Sequence, residues 1–172
     1  MAVTATSRNE RTQATPQKIT TFLWFDKNAE EAVKFYVSVF KNSKILNTTQ
    51  YGDSGAGPKG QVMTVDFELD GQRFTALNGG PNFKFTEAIS LVVNCESQQE
   101  IDYFWEKLSA DGGQTVECGW LKDKYGLSWQ VVPSILWKLF EGDQAQTDRI
   151  MKAVMTMKKL DLETLKKAAE GK

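Results

Sequence analysis

The two halves of this 172-residue chain repeat one pattern of strand, corner and helix. Phe35-Tyr36-Val37 aligns without a gap on Tyr103-Phe104-Trp105, 68 positions on (103 − 35). At that offset Leu23 meets Leu91, Phe25 meets Val93, Asp26 meets Asn94, Val33 meets Ile101 and Phe40 meets Leu108. An apolar strand, a polar corner and an amphipathic helix thus occur twice. So long a period points to a duplicated supersecondary module rather than a solenoid, which stacks shorter units in series.

The first copy opens with Ile19 to Phe25, a β-rich run. Asn28-Ala-Glu-Glu31 has the form of a capping box. Ala32, Val33, Phe35, Tyr36, Val39 and Phe40 follow at helical spacing. Lys44 to Tyr51 reads as a strand. The glycine-rich segment 52–60 reads as a loop, because such glycine and proline density does not hold regular structure. From Gln61 to Leu69 the residues alternate: Val62, Thr64, Asp66 and Glu68 on one side, Met63, Val65, Phe67 and Leu69 on the other. Asp70-Gly71 is a hairpin signal, which makes Gln72 to Asn78 the partner strand.

The second copy gives a strand from Glu87 to Val93 and a capping box at Ser97-Gln-Gln-Glu100. A helix burying Ile101, Phe104, Trp105 and Leu108 follows, stopped at Asp111-Gly-Gly113. Thr115 to Leu121 reads as a strand, 122–126 as a turn, and Leu127 to Val132 as the last strand, stopped by Pro133. Each copy is β-α-β-β-β, with a short third strand in the second. The expected class is α+β: a flexible tail at 1–16, a two-module domain at 17–133 (modules 17–81 and 86–133), and a C-terminal helical extension at 134–172. Helices are expected from Ile135 to Phe140, from Ala145 to Met157, and after Asp161.

Composition narrows the function more by exclusion. A net charge of −1 offers nothing to nucleic acid. No apolar run approaches the roughly 20 residues of a membrane span. The first 16 residues lack the hydrophobic region of a secretory signal. Cys95 and Cys118 are too few for a disulfide framework and are expected as reduced thiols in a cytoplasmic protein. Histidine is absent, which removes the commonest metal ligand and the commonest acid–base group.

Several stretches carry a family resemblance: Phe22-Leu-Trp-Phe-Asp26, Ala29-Glu-Glu-Ala32 with Phe35-Tyr36, Ala76-Leu-Asn-Gly-Gly80, and the block from Cys118-Gly-Trp-Leu-Lys to Gln130-Val-Val-Pro133. Together they make the chain resemble the vicinal oxygen chelate superfamily, which includes glyoxalase I, extradiol dioxygenases and bleomycin-resistance proteins. Within it the resemblance is to the PhnB-like group, often labelled demethylubiquinone methyltransferase. It covers about residues 18–165 and implies two curved half-sheets, each enclosing a cleft, usually in a homodimer. Metal-using members present His and Glu from the first and last strands of each module. The matching places here fall near Thr21, at Leu77 or Asn78, near Ala88 and at Gln130, none a strong ligand. No metal and no cofactor is therefore expected. Glu87 lies one residue off, on the opposite strand face. The methyltransferase label finds no Gly-x-Gly-x-x-Gly between a strand and a helix.

Gln130 is the sharpest candidate for ligand contact, since its amide donates and accepts; a buried amide satisfied by the backbone is the competing reading. Ser128 shares its face, while Leu127, Trp129 and Val131 point to the core. Phe22, Trp24 and Trp120 place aromatics near the clefts, and Asn78, Thr75 and Thr64 are candidate polar lining. Cys118 is a candidate lining thiol with Lys122 and Lys124 close in sequence, but no histidine serves it as base. Three functions stay open: a module that binds a small organic molecule without metal, an enzyme (lyase, isomerase, dioxygenase-type or methyltransferase) acting on one, and an interaction protein whose clefts are filled by its own side chains.

Overall fold

The structure, a computed structural model, describes residues 17–172; the tail expected at 1–16 lies outside them. Module one runs β1 (Thr21–Phe25), α1 (Ala29–Val39), β2 (Lys44–Gln50), β3 (Val62–Leu69) and β4 (Gln72–Asn78). Module two runs β5 (Ser90–Cys95), α2 (Gln98–Ser109), β6 (Gln114–Thr115), β7 (Trp120–Lys122) and β8 (Ser128–Pro133). The sheets have the same order, β1-β4-β3-β2 and β5-β8-β7-β6, each with its first strand parallel to its last. Three helices follow: α3 (Ile135–Leu139), α4 (Gln144–Met155) and α5 (Leu162–Glu170).

The alternation in β3 does what it predicts. Val65, Phe67 and Leu69 are buried, while Thr64, Asp66 and Glu68 take the other face. One aromatic core joins the modules. Tyr36 of α1 stacks on Phe67 of the first sheet and lies 5.6 Å from Trp129 of the second. Phe40 stacks on both Phe104 of α2 and Trp129. The helix-bearing faces of both sheets thus meet across α1 and α2, and the other face of each sheet is turned away from the shared core. A second core of Val132, Leu136, Ile150, Val154, Leu160 and Leu165 ties the C-terminal helices to the end of β8.

Three local readings are corrected. The box at Ser97 forms, with Glu100 N–H donating to Ser97 Oγ. The box at Asn28 does not: the Asn28 side chain makes no capping bond, while the N–H of Ala29, one position into the helix, donates to Asn78 Oδ1 at 2.8 Å. The strand expected from Thr115 to Leu121 breaks into β6 and β7. Cys118 and Gly119 sit at φ 61° and 80°, left-handed geometry that turns the chain back on itself. Val116 N–H donates to Trp120 C=O, and Trp120 N–H to Glu117 C=O. Finally, β5 begins at Ser90, so Glu87 lies in the preceding loop and not on a strand face.

Candidate ligand-binding face

Strand register sets out the outer face of the second sheet in rows. Ser90, Ser128 and Lys122 form one row, with Gln114 beyond; Val92, Gln130 and Trp120 form the next. Side chains alternate along a strand, so these residues share a face and Leu91, Trp129 and Leu121 take the other. The third row pairs Asn94 with Val132; the C-terminal helices bury Val132, and Trp137 of α3 donates to Asn94. The extension therefore closes one end of the face, and the rows of Gln130 and Ser128 lie beside it.

Polar groups are spread unevenly over this face. Gln130 Nε2 donates to Ser90 Oγ at 2.9 Å, which fixes the amide while leaving its carbonyl oxygen and second N–H unpaired. Ser128 is 1% exposed, and its Oγ makes no hydrogen bond. Lys122 pairs with Glu87, and that hydrogen bond holds the Glu87 carboxyl below its ordinary value. Trp120 is half-buried at the end of the Gln130 row.

The remaining candidates are placed elsewhere. Phe22, Trp24 and Thr75 lie on the outer face of the first sheet, where Phe22 is 58% exposed beside Thr75. Thr75 Oγ1 donates to Asp66, and Thr64 shares a hydroxyl contact with Thr49. Trp24 is held by Nε1–H donation to Gly80 C=O and by Phe83 edge-on at 4.9 Å. Asn78 is not on this face. One position past Leu77, it turns toward α1, and its amide is used at both ends, by Ala29 N–H and by Val62 C=O. Cys118 lies outside the strands, with Sγ 3.5 Å from Met155 Sδ of α4. Cys95 is buried, and desolvation pushes its thiol up to about 12, so it stays protonated.

Within one chain the two outer faces do not meet, because the helix layer separates them. Two cavities of about 810 and 620 Å³ are present, and the larger reaches the outer face of the second sheet at Val92 and Asn94. The first is a groove at the module junction among Phe40, Leu69, Phe74, Leu91 and Tyr103; the second lies beneath the glycine loop and α1. The groove's walls are mainly apolar, with Lys41, Asp70 and Glu100 as its charged groups. Among the described residues, the outer face of the second sheet is where a buried hydroxyl without a partner lies one row from an amide with spare hydrogen-bonding capacity, and it is the better candidate on that ground.

The metal of the superfamily does not fit these residues. Gln130 is a neutral amide already donating to a hydroxyl. Among the described residues, no group of three His, Cys, Asp or Glu side chains is placed to hold an ion.

Residues 17–132 match the family model described as 3-demethylubiquinone-9 3-methyltransferase. The chain belongs to that family. A PhnB protein from Bacillus cereus is 42% identical over 68% of this chain and 99% of its own, with a TM-score of 0.62. Protein PA1353 from Pseudomonas aeruginosa shares the fold at 20% identity over 67% of this chain and 96% of its own, TM-score 0.56. The fosfomycin resistance protein FosX from Listeria monocytogenes is 14% identical over 69% of this chain and 93% of its own, TM-score 0.44. No curated protein matches. The family and the paired β-α-β-β-β modules are those of the PhnB-like vicinal oxygen chelate group. No helix among the described residues is long and apolar enough to cross a membrane.

Three contributors to the site were missed in the sequence: Ser90, the ion-pair role of Lys122, and the Glu87 that answers it. The repeat held the signal for Ser90, since the offset of 68 that pairs Leu23 with Leu91 also pairs Phe22 with Ser90.

Proposed function

We propose that this protein binds a small organic molecule, without a metal or cofactor, on the outer face of its second sheet. Gln130 orients the molecule through its free carbonyl oxygen and N–H, and Trp120 offers an aromatic surface in the same row. The observation that carries the reading is the coexistence there of a fixed amide with spare hydrogen-bonding capacity, an unpartnered hydroxyl and a half-buried indole. Ligand sites are mostly apolar with a few oriented polar groups of this kind. Transfer of a methyl group, which the family description names, is the alternative; no residue of this face favours it over binding.

Benzamide is a suitable probe, with a ring for Trp120 and an amide for Gln130. Calorimetric titration of Gln130→Leu is expected to show benzamide affinity at least about fivefold below wild type, the loss of roughly 1 kcal/mol or more that a desolvated hydrogen bond contributes. The melting temperature should change little. A lower melting temperature with unchanged affinity identifies Gln130 as a packing amide and ends its role in binding.

We also propose that the working unit is a homodimer in a reducing, cytoplasmic setting. The outer strands β1 and β5 each pair on one side only. Phe22, Ile89 and Val92 are exposed along or beside them. Bare apolar edges invite association unless covered, and a closed two-fold pair covers both at once. A second copy would set its first-sheet face, with Phe22 and Thr75, against Gln130. Sedimentation equilibrium at micromolar concentration is expected to give twice the chain mass; a monomer at every concentration contradicts it.

A further inference from the structure

Lys122 of β7 stands directly across from Ser128, and Ser90 of β5 flanks Ser128 on the other side. Glu87 lies in the loop that leads into β5. Lys122 and Glu87, which come from opposite sides of β8, form an ion pair. Between Lys122 and Ser90 in the row, Ser128 is 1% exposed and its hydroxyl has no partner. A buried unpartnered hydroxyl costs free energy that a packed alanine would not. The Glu87 end of the ion pair, by contrast, is largely exposed, and a pair so open to solvent contributes little and is readily exchanged.

We propose that Glu87 is a tethered stand-in for the acidic group of the ligand, and that the ligand is a small organic carboxylate. On binding, its carboxylate displaces that of Glu87 from Lys122 Nζ and accepts the Ser128 O–H, with its body along Gln130 and Trp120. The exchange replaces one lysine–carboxylate pair by another, so little charge attraction is lost. It adds a charge-assisted hydrogen bond from a donor that had none. The inference deepens the reading of this face as a ligand site and rests on it.

The test is an amide NMR titration of the full chain with benzoate and, separately, with the neutral benzamide. Glu87→Gln removes the internal competitor and is expected to tighten benzoate by about two- to fivefold while leaving benzamide unchanged. Glu163→Gln, which alters net charge equally but lies on α5, is expected to leave both unchanged. Lys122→Gln should abolish any preference for benzoate over benzamide. Ser128→Ala should weaken benzoate by about threefold or more without lowering the melting temperature, because no existing hydrogen bond is lost. Unchanged benzoate affinity in Glu87→Gln, with benzamide still shifting the Gln130 and Trp120 signals, overturns the stand-in and leaves the face intact. Shifts at this face with neither probe, in wild type and in Glu87→Gln, overturn both.

Discussion

Asp123→Asn is expected to destabilise the protein by about 2–4 kcal/mol, because one buried carboxylate collects the hydrogen bonds that lock the modules together. Asp123 is 3% exposed. It accepts from Tyr36 O–H and Trp129 Nε1–H at 2.8 Å each, and from the backbone N–H of Tyr125 and Leu127 at 2.8 and 3.1 Å. Tyr36 comes from α1 of the first module, so this is a polar joint inside the aromatic core. Asparagine has one acceptor oxygen and would set an NH2 group against donors. At about 2–4 °C per kcal/mol for a chain of this size, the melting temperature should fall by about 5–15 °C. Tyr36→Phe removes only one donor and should cost about 1–2 kcal/mol.

The same carboxyl gives a pH signature. Burial raises it above its ordinary value of 3.8, against the downward pull of Trp129, Tyr36 and the two backbone N–H groups. A carboxyl raised in the fold favours its protonated form there. Its share of stability is complete below the ordinary value and is lost as pH rises through the folded value. The stability gap between wild type and Asp123→Asn should narrow as pH rises from about 4 toward neutrality. Urea midpoints across that range measure it, and a widening gap contradicts the assignment.

Gly119→Ala should be almost as damaging, at about 2–4 kcal/mol. Gly119 sits at φ 80°, where a side chain is strained, and an added Cβ would lie 2.9 Å from Val131 C=O and 3.1 Å from Leu160 Cδ1. Its own carbonyl accepts from Val131 N–H, and its N–H donates to Lys158 C=O. One position thus serves the β6–β7 turn, β8 and the connection between α4 and α5. Urea unfolding should show the loss; a change below about 0.5 kcal/mol, the level of an ordinary surface substitution, contradicts the packing described.

The duplicated architecture was legible because periodicity records which side of an element meets the core. The alternation in β3, the Ser97 box and the Asp70-Gly71 hairpin each depend on neighbours in sequence, and each forms. The errors arise where distant residues decide. Asn28 resembles a helix cap but makes no capping bond, and the first N–H of the helix, that of Ala29, is instead met from afar by Asn78, brought alongside by the parallel β1–β4 pairing. That same contact withdraws Asn78 from the outer face. Asp123 carried a local signal, an aspartate accepting the N–H two residues on in a polar turn. Its bonds to Tyr36 and Trp129 had none. Glu87 was assigned to a strand because register alone shows that β5 begins at Ser90. The Gln130–Ser128 pairing on one face follows from period two, whereas the missing partner of Ser128 emerges only once three strands lie side by side.

A chemical-shift map of the full chain titrated with benzamide bears most closely on where this protein binds its ligand. The expected result is a cluster of moving signals at Ser90, Trp120, Lys122, Ser128 and Gln130, including the Trp120 indole N–H. A map centred instead on Val39, Leu69, Leu91 and Tyr103 in the module-junction groove, with the face of the second sheet silent, would contradict it.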